Sequence, residues 1–284
     1  IPGLLTGWGR FGFAVGMLAA TKPQRRGARD VRRETRRLSA ARDTPHVALL
    51  FRGCVQQGLF SHVHNATVRT LGVNGYQVRE ITGQTCCGAL HAHAGLLDQA
   101  RALARSNIAA FGDGDEPIVV NSAGCGALMK EYAHLIGDAA SERFSKRVRD
   151  VTELLAASPV PGAPLDLHVA YDPPCHLLHA QGVAVQPLKL FAAIPLLELV
   201  AVPGASECCG SAGLFTLLEP EMSRAVLAPK IARLREAAPQ VVATGNPGCL
   251  MQLGAGLAAA RMRAQVRHPV ELLDESYRAA GRYE

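Results

Sequence analysis

The sequence predicts an α/β fold of two similar halves, each a parallel sheet flanked by helices with a Cys-Cys-Gly motif at its strand ends. Three observations lead there. All eight cysteines of the 284 residues belong to one spacing used twice. The residues around each cysteine repeat in kind between the copies. Short apolar runs alternate with helical patterns through both copies, the alternation that builds parallel sheets with helices on their faces.

The first set is Cys54, Cys86, Cys87 and Cys125, and the second is Cys175, Cys208, Cys209 and Cys249. Within the first set 31 and then 37 residues intervene, and within the second 32 and then 39. The offsets between copies run 121, 122, 122 and 124, so only small insertions separate them, and no cysteine is left over. Hydrophobic residues make up 48% and charged residues 19%, a composition able to bury a sizeable core and unlike a disordered chain. The length suits about two domains.

Taken in order, residues 1–45 form an N-terminal segment and basic linker. The run "FGFAVGMLAA" at 11–20 is too short to span a bilayer, which takes about 20 residues. No basic n-region opens the chain and no clear cleavage site comes after the run, so it does not read as a signal peptide. The compartment expected is therefore a reducing cytoplasm, where cysteines serve more often as metal ligands or catalytic groups than in disulfides. The stretch "TKPQRRGARDVRRETRR" at 21–37 carries much of the formal charge of +6. No aromatic residue interleaves with it, so it offers no base-stacking platform and no nucleic-acid partner is expected. It reads as a solvated linker or helix face, able to rest on an anionic membrane surface. The apolar segment 1–20, with Trp8 as anchor, is a candidate contact surface for a partner; the alternative is that it folds back on its own core.

The first copy, 46–164, opens on "HVALLFRGC" (46–54) and reaches its last cysteine through "PIVVNSAGC" (117–125). The second copy, 165–284, does the same with "LHVAYDPPC" (167–175) and "QVVATGNPGC" (240–249). These runs are short, rich in β-branched residues and bounded by Gly, Pro or Asn, and so predict buried strands. Helices are predicted in "LLDQARALARSNIAAF" (96–111) and "EMSRAVLAPKIARLREAA" (221–238), and "ASPVPGAP" (157–164) reads as the linker between copies. Function in such sheets gathers beyond the carboxyl ends of the strands, where these cysteines stand.

Three chemistries compete for four thiols per half. Zinc sites usually take cysteines as C-x2–4-C pairs around one ion, whereas adjacent side chains such as Cys86–Cys87 diverge. An iron–sulfur cluster is larger, takes four thiolates, and lets neighbouring cysteines address different irons. Disulfides need an oxidising compartment and a denser framework. Gly88 and Gly210, after the pairs, would allow close backbone approach or φ > 0. His62, His64, His91, His93, His176 and His179 cluster near the cysteines, and tuning the site or lying on the surface suits them better than ligation. "GSAGLF" at 210–215 is a weak candidate phosphate loop. No Ser-His-Asp signature, P-loop or well-placed G-x-G-x-x-G is present.

The repeated pattern, with "LFRGCVQ", "CCGALHAH", "NSAGCGALMKEY", "CHLLHAQG", "CCGSAGLFTLLEPEM", "TGNPGCLMQLGAG" and "HPVELLDESY", resembles the cysteine-rich CCG domain family from about residue 46 to the end. That family includes the heterodisulfide reductase B subunit, lactate-utilisation iron–sulfur proteins and the iron–sulfur subunit of glycolate oxidase, the last being the nearest in pattern. The resemblance implies [4Fe–4S] clusters, one on Cys54, Cys86, Cys87 and Cys125 and one on Cys175, Cys208, Cys209 and Cys249. It implies an oxidoreductase complex in which FAD sits on a partner glycolate oxidase subunit and electrons pass towards membrane quinone, with peripheral association on the inner face. Two departures stand out. Heterodisulfide reductase often has a further cysteine three residues after the last of each set, where this chain has Leu128 and Gln252. The ferredoxin-like domain of the glycolate oxidase subunit, with its C-x2-C-x2-C-x3-C-P runs, has no counterpart here, and residues 1–45 resemble the segment just C-terminal to that domain.

Overall fold

The computed structural model describes residues 9–22, 46–157 and 159–283. It contains two four-stranded sheets, each wholly parallel. In the first, β1 (His46–Leu50), β2 (Tyr76–Glu80), β3 (Ile118–Val120) and β4 (Val148–Asp150) lie in the order β2-β1-β3-β4. In the second, β5 (Leu167–Tyr171), β6 (Leu197–Leu199), β7 (Val241–Ala243) and β8 (Gln265–Arg267) lie as β6-β5-β7-β8. The two orders are the same, as the duplicated spacing requires. In each, the chain starts at a central strand, moves to one edge, then crosses to the other side. That reversal opens a crevice at the carboxyl ends of β1 and β3, and of β5 and β7.

Period-2 alternation sorts the strand residues between two cores. Ala48, Leu50 and Val119 face a core shared with Val169, Val242, Leu253, Leu273 and Tyr277 of the second half. Leu49, Phe51, Ile118 and Val120 face the other way, onto Met129, Tyr132 and Phe144. Sharing one core fastens the halves together. Across the same seam Arg69 donates two hydrogen bonds of 2.7 Å to Asp274, both residues being buried. Asn74 donates to the Tyr277 hydroxyl, which donates to Val160 O.

The predicted helices form as Leu97–Phe111 and Pro220–Ala237. The apolar stretch near the N-terminus forms the helix Gly9–Ala19, which packs on Pro247–Ala259. Gly16 permits that approach, since a Cβ there would stand 3.1 Å from the Cα of Ala255. The fold-back alternative therefore holds for the described part of the segment; Trp8 and residues 23–37 of the basic run lie outside the described residues. Among the described residues no helix is long and apolar enough to cross a membrane. Large apolar side chains are exposed at Leu18 of the helix Gly9–Ala19 and at Leu217, Leu218, Met222 and Val226 of the second half, Leu217 lying beside Phe13 and Met17.

Candidate metal centre

Each cysteine is delivered by a strand end. Cys54 follows β1 and precedes the helix Val55–Leu59; Cys175 follows β5 and precedes a single π-helical turn, His176–Ala180. Cys125 and Cys249 are the third residues of the helices Ala123–Lys130 and Pro247–Ala259 after β3 and β7. The adjacent pairs occupy the loops beyond β2 and β6. Eight residues thus reach two crevices, four to each.

In the first half Cys54 and Cys86 stand Sγ to Sγ at 3.4 Å, and the thiols of Cys86, Cys87 and Cys125 continue the contact. Gly53, at φ +63°, lies under this set; a Cβ there would stand 3.9 Å from Cys125 Sγ. In the second half Cys209 and Cys249 stand at 3.1 Å, with Cys175 touching Cys208 and Cys208 touching Cys209. None of the eight is in a disulfide. Both separations fall within the distance of about 6–7 Å that shared iron–thiolate ligation allows. The contacts run as a chain rather than around one point, and among the described residues no three His, Cys, Asp or Glu side chains are placed to hold a single metal ion.

Backbone donors point at the sulfurs. Gly88 N–H and Ala89 N–H donate to Cys86 and Cys87 at 3.5 Å, and Gly210 N–H donates to Cys208 at 3.3 Å. The glycines make this possible with φ of +87° and +82°. At Gly210 a Cβ would lie 2.4 Å from Ser223 O, and at Gly88 one would lie 3.3 Å from Ala100 O. Hydrogen bonds from Cys54 and Cys87, with the Gly88 N–H, lower the pKa of Cys86; the same arrangement of Cys175, Cys209 and Gly210 lowers that of Cys208. Their neighbours Cys54, Cys87, Cys175 and Cys209 are raised in turn, each by its thiol partner and by burial. A hydrogen bond from Cys87 lowers Cys125 as well, so Cys86 and Cys125 in the first set and Cys208 in the second are drawn towards the thiolate, the form that binds metal. Four thiols, N–H donors to sulfur and a left-handed glycine make a donor set that fits an iron–sulfur cluster.

The residues behind the two sets differ. The helices Leu97–Phe111 and Pro220–Ala237 present equivalent buried faces, Ala100, Ala104, Asn107 and Phe111 against Ser223, Leu227, Lys230 and Leu234, offset throughout by 123. In the first half Asn107 accepts from Thr85 N–H at 2.8 Å and donates to Cys86 O at 3.0 Å, while Tyr132 donates to Cys87 O at 2.7 Å. In the second, Lys230 donates to Ala205 O at 2.7 Å and to the Asp172 carboxylate. Side-chain exposure there is only 2% for Lys230 and 6% for Asp172. Burial pushes the Asp172 carboxyl up to about 6 against the pull of Lys230. Phe51 takes the place of Asp172 in the first half: each follows the first strand of its sheet and donates its N–H to the neighbouring strand.

The two sets face each other across the seam. Ala123 N–H donates to Gly245 O at 3.1 Å, and Gly124 N–H to Asn246 Oδ1 at 3.0 Å. Asn246 also donates to Cys249 Sγ at 3.7 Å. The rings of His93 and His176 stack at 5.7 Å between the halves, and His176 Nδ1 lies 3.7 Å from Cys175 Sγ. The other predicted histidines are less involved. His64 is buried, held by Arg52 O and Asn121, and burial lowers its pKa to about 4. His62 faces Glu271 at 3.5 Å. Gln252, at the position of a possible fifth cysteine, is fully buried and donates to Ser223 Oγ. The Gly-rich stretch 210–215 leads into a helix of four residues, Phe215–Leu218, too short for an anion site.

Sequence reasoning missed Lys230, Asp172, Asn107 and Tyr132. A signal existed for Lys230: it shares an i, i+4, i+7, i+11 stripe with Ser223, Leu227 and Leu234, where a lysine is out of place.

With the geometry in place, comparison with known proteins is decisive. The family described as a cysteine-rich domain, CCG, matches residues 48–130 and 169–254, one match on each sheet. The chain belongs to the CCG family. It is 32% identical over 274 residues to the probable glycolate oxidase iron-sulfur subunit of Bacillus subtilis (strain 168), covering 93% of this chain and 62% of that protein. It is 31% identical over 239 residues to the glycolate oxidase iron-sulfur subunit of Escherichia coli (strain K12), covering 80% of this chain and 57% of the relative. Lactate utilization protein A of Geobacillus kaustophilus (strain HTA426) is 31% identical over 234 residues, 79% of this chain and 97% of that protein. The CCG chain thus spans about three-fifths of the glycolate oxidase subunits and nearly all of the lactate utilization protein.

Proposed function

We propose that this chain is the iron–sulfur, electron-transferring part of an oxidoreductase complex acting on a 2-hydroxy acid, with glycolate the first candidate. The observation that carries the reading is the pair of four-thiol sets, each with backbone donors aimed at sulfur. Cys54, Cys86, Cys87 and Cys125 would hold one [4Fe–4S] cluster, and Cys175, Cys208, Cys209 and Cys249 the other. Such clusters supply one-electron storage and transfer. The chain's own residues do the rest. Gly88 and Gly210 turn N–H groups onto the sulfurs, the seam residues Asn246, His93 and His176 hold the two sets in register, and the apolar cores bury Cys87, Cys209 and Cys249.

In this reading substrate oxidation belongs to a partner subunit carrying FAD, with delivery of electrons towards quinone and peripheral attachment at the inner face of the cell membrane. Lactate is the second candidate substrate, favoured by the near-complete coverage of lactate utilization protein A.

Anaerobic purification with iron, sulfide and zinc counts tests the assignment. About eight irons and eight sulfides per chain are expected, four of each per cluster, with an EPR signal on reduction. Zinc without iron or sulfide would overturn it in favour of a structural module.

A further inference from the structure

We propose that Lys230 makes the second centre easier to reduce than the first, by holding a buried positive charge behind the Cys208–Cys209 loop. The inference rests on the reading of both thiol sets as cluster ligands and deepens it. Asn107 and Lys230 are structural equivalents, and both tether the loop before the paired cysteines, one with an amide and one with an ammonium. Their difference is thus a difference of charge at a shared position.

The charge is well placed to act. Lys230 Nζ bridges the Asp172 carboxylate and Ala205 O, three residues before Cys208, so the positive end of the pair faces the loop. Both partners are almost fully buried, so water screens the field little at its source and more towards the exposed Cys208. Reduction adds one negative charge to a cluster, and a fixed cation nearby favours the charged state. In the first half an imidazole, His91, acts on Cys86 where the second half has a permanent ammonium, and the Arg52 side chain is 30% exposed and paired with Glu80. Phe51 and Asn107 leave the first set with neutral surroundings on the side where the second has Lys230.

The test is an EPR-monitored potentiometric titration of the loaded, full-length chain, with the first centre as internal reference. Lys230→Gln copies the amide of the first half and keeps a donor for Ala205 O. Its expected effect is at least a tenfold fall in the reduced-to-oxidised ratio of the second centre at fixed potential, or about 59 mV for one electron. The first centre should not move. Lys230→Met, which removes the donor as well as the charge, should shift the second centre in the same direction. Equal shifts in both centres, or none, overturn the inference while leaving the clusters intact. Loss of the second centre's iron from both folded variants would make Lys230 a strut for the loop and overturn it too. Absence of iron and sulfide from the wild type would instead remove the cluster reading itself.

Discussion

The first half braces its paired cysteines with Asn107 and Tyr132, all neutral amide and phenol chemistry over an aromatic core of Phe51, Phe111 and Phe144. The second half puts Lys230 and Asp172 in the matching space and supports Gly210 with Ser223 and Gln252. Strand order, cysteine delivery and glycine conformation are common to both, and the divergence lies in the residues behind the thiols. Duplication preserved what is needed to bring four sulfurs together. The parts that varied are those that set charge and rigidity around them.

The largest expected effect comes from removing a ligand. Cys87→Ser and Cys209→Ser each replace a buried thiol with a harder, poorer ligand for iron. Each variant should lose one cluster, about half of the iron, while the other half's EPR signal persists. In an assembled complex, electron delivery to quinone should slow far more than flavin reduction, and stopped-flow absorbance separates the two. Loss of both clusters from either variant would show that the halves load as one unit, and loss of flavin reduction alone would move catalysis onto this chain.

Next in size is the seam. Arg69→Met leaves Asp274 buried with, among the described residues, Tyr283 at 2.8 Å and Arg278 at 3.8 Å beside it. Breaking a buried ion pair by removing one partner costs about 3–5 kcal/mol, and those neighbours place this one towards the lower end. Because the large core runs through both sheets, urea should unfold the variant in one transition, earlier than the wild type. Two transitions, with one unmoved, would mean that the halves are independent and that comparing them as parts of one unit is mistaken.

Much of this comparison was legible in the sequence. β1, β3, β5 and β7 announce themselves as apolar runs because they are central strands covered on both faces. Their edge partners do not: "YQVRE", "VRD", "LEL" and "QVR" are short and mixed in polarity, since each has a neighbour on one side only. The eight cysteines could be grouped by spacing alone. Lys230 and Asp172 could not be paired, because they stand 58 residues apart and meet only through packing of a helix on the sheet. The N-terminal apolar stretch suggested a contact surface, yet glycine at position 16 lets that helix pack closely on Pro247–Ala259.

The glycines offer a finer cut. Both Gly88 and Gly210 occupy left-handed conformations, so alanine costs about 1–2 kcal/mol at either site from backbone strain. At Gly210 the new Cβ would also press on Ser223 O at 2.4 Å, against 3.3 Å from Ala100 O at Gly88. Gly210→Ala should therefore be the more destabilising in thermal melts, and should lose iron from its own half first. Equal losses would mean that the helix carrying Ser223 yields freely and that the second loop is no more tightly held than the first.

The smallest effect tests whether the neutral brace is structural only. Tyr132 is fully buried, and its hydroxyl donates to Cys87 O while accepting from Asn107. Tyr132→Phe removes that donor without opening a cavity, and a buried hydrogen bond of this kind is worth about 1 kcal/mol. Asn107 keeps Cys86 O as acceptor, so the amide is not orphaned and the loop stays tethered at one point. The variant should melt slightly earlier, keep all its iron, and leave both reduction potentials in place, since no charge is lost. Lys230→Gln, by contrast, should change a potential while keeping its tether to the loop. A shift of the first centre's potential in Tyr132→Phe would show that hydrogen bonding near the thiols tunes these centres as strongly as charge does. The asymmetry between the halves would then have two sources, with the phenol of the first half setting its potential as the ammonium does in the second.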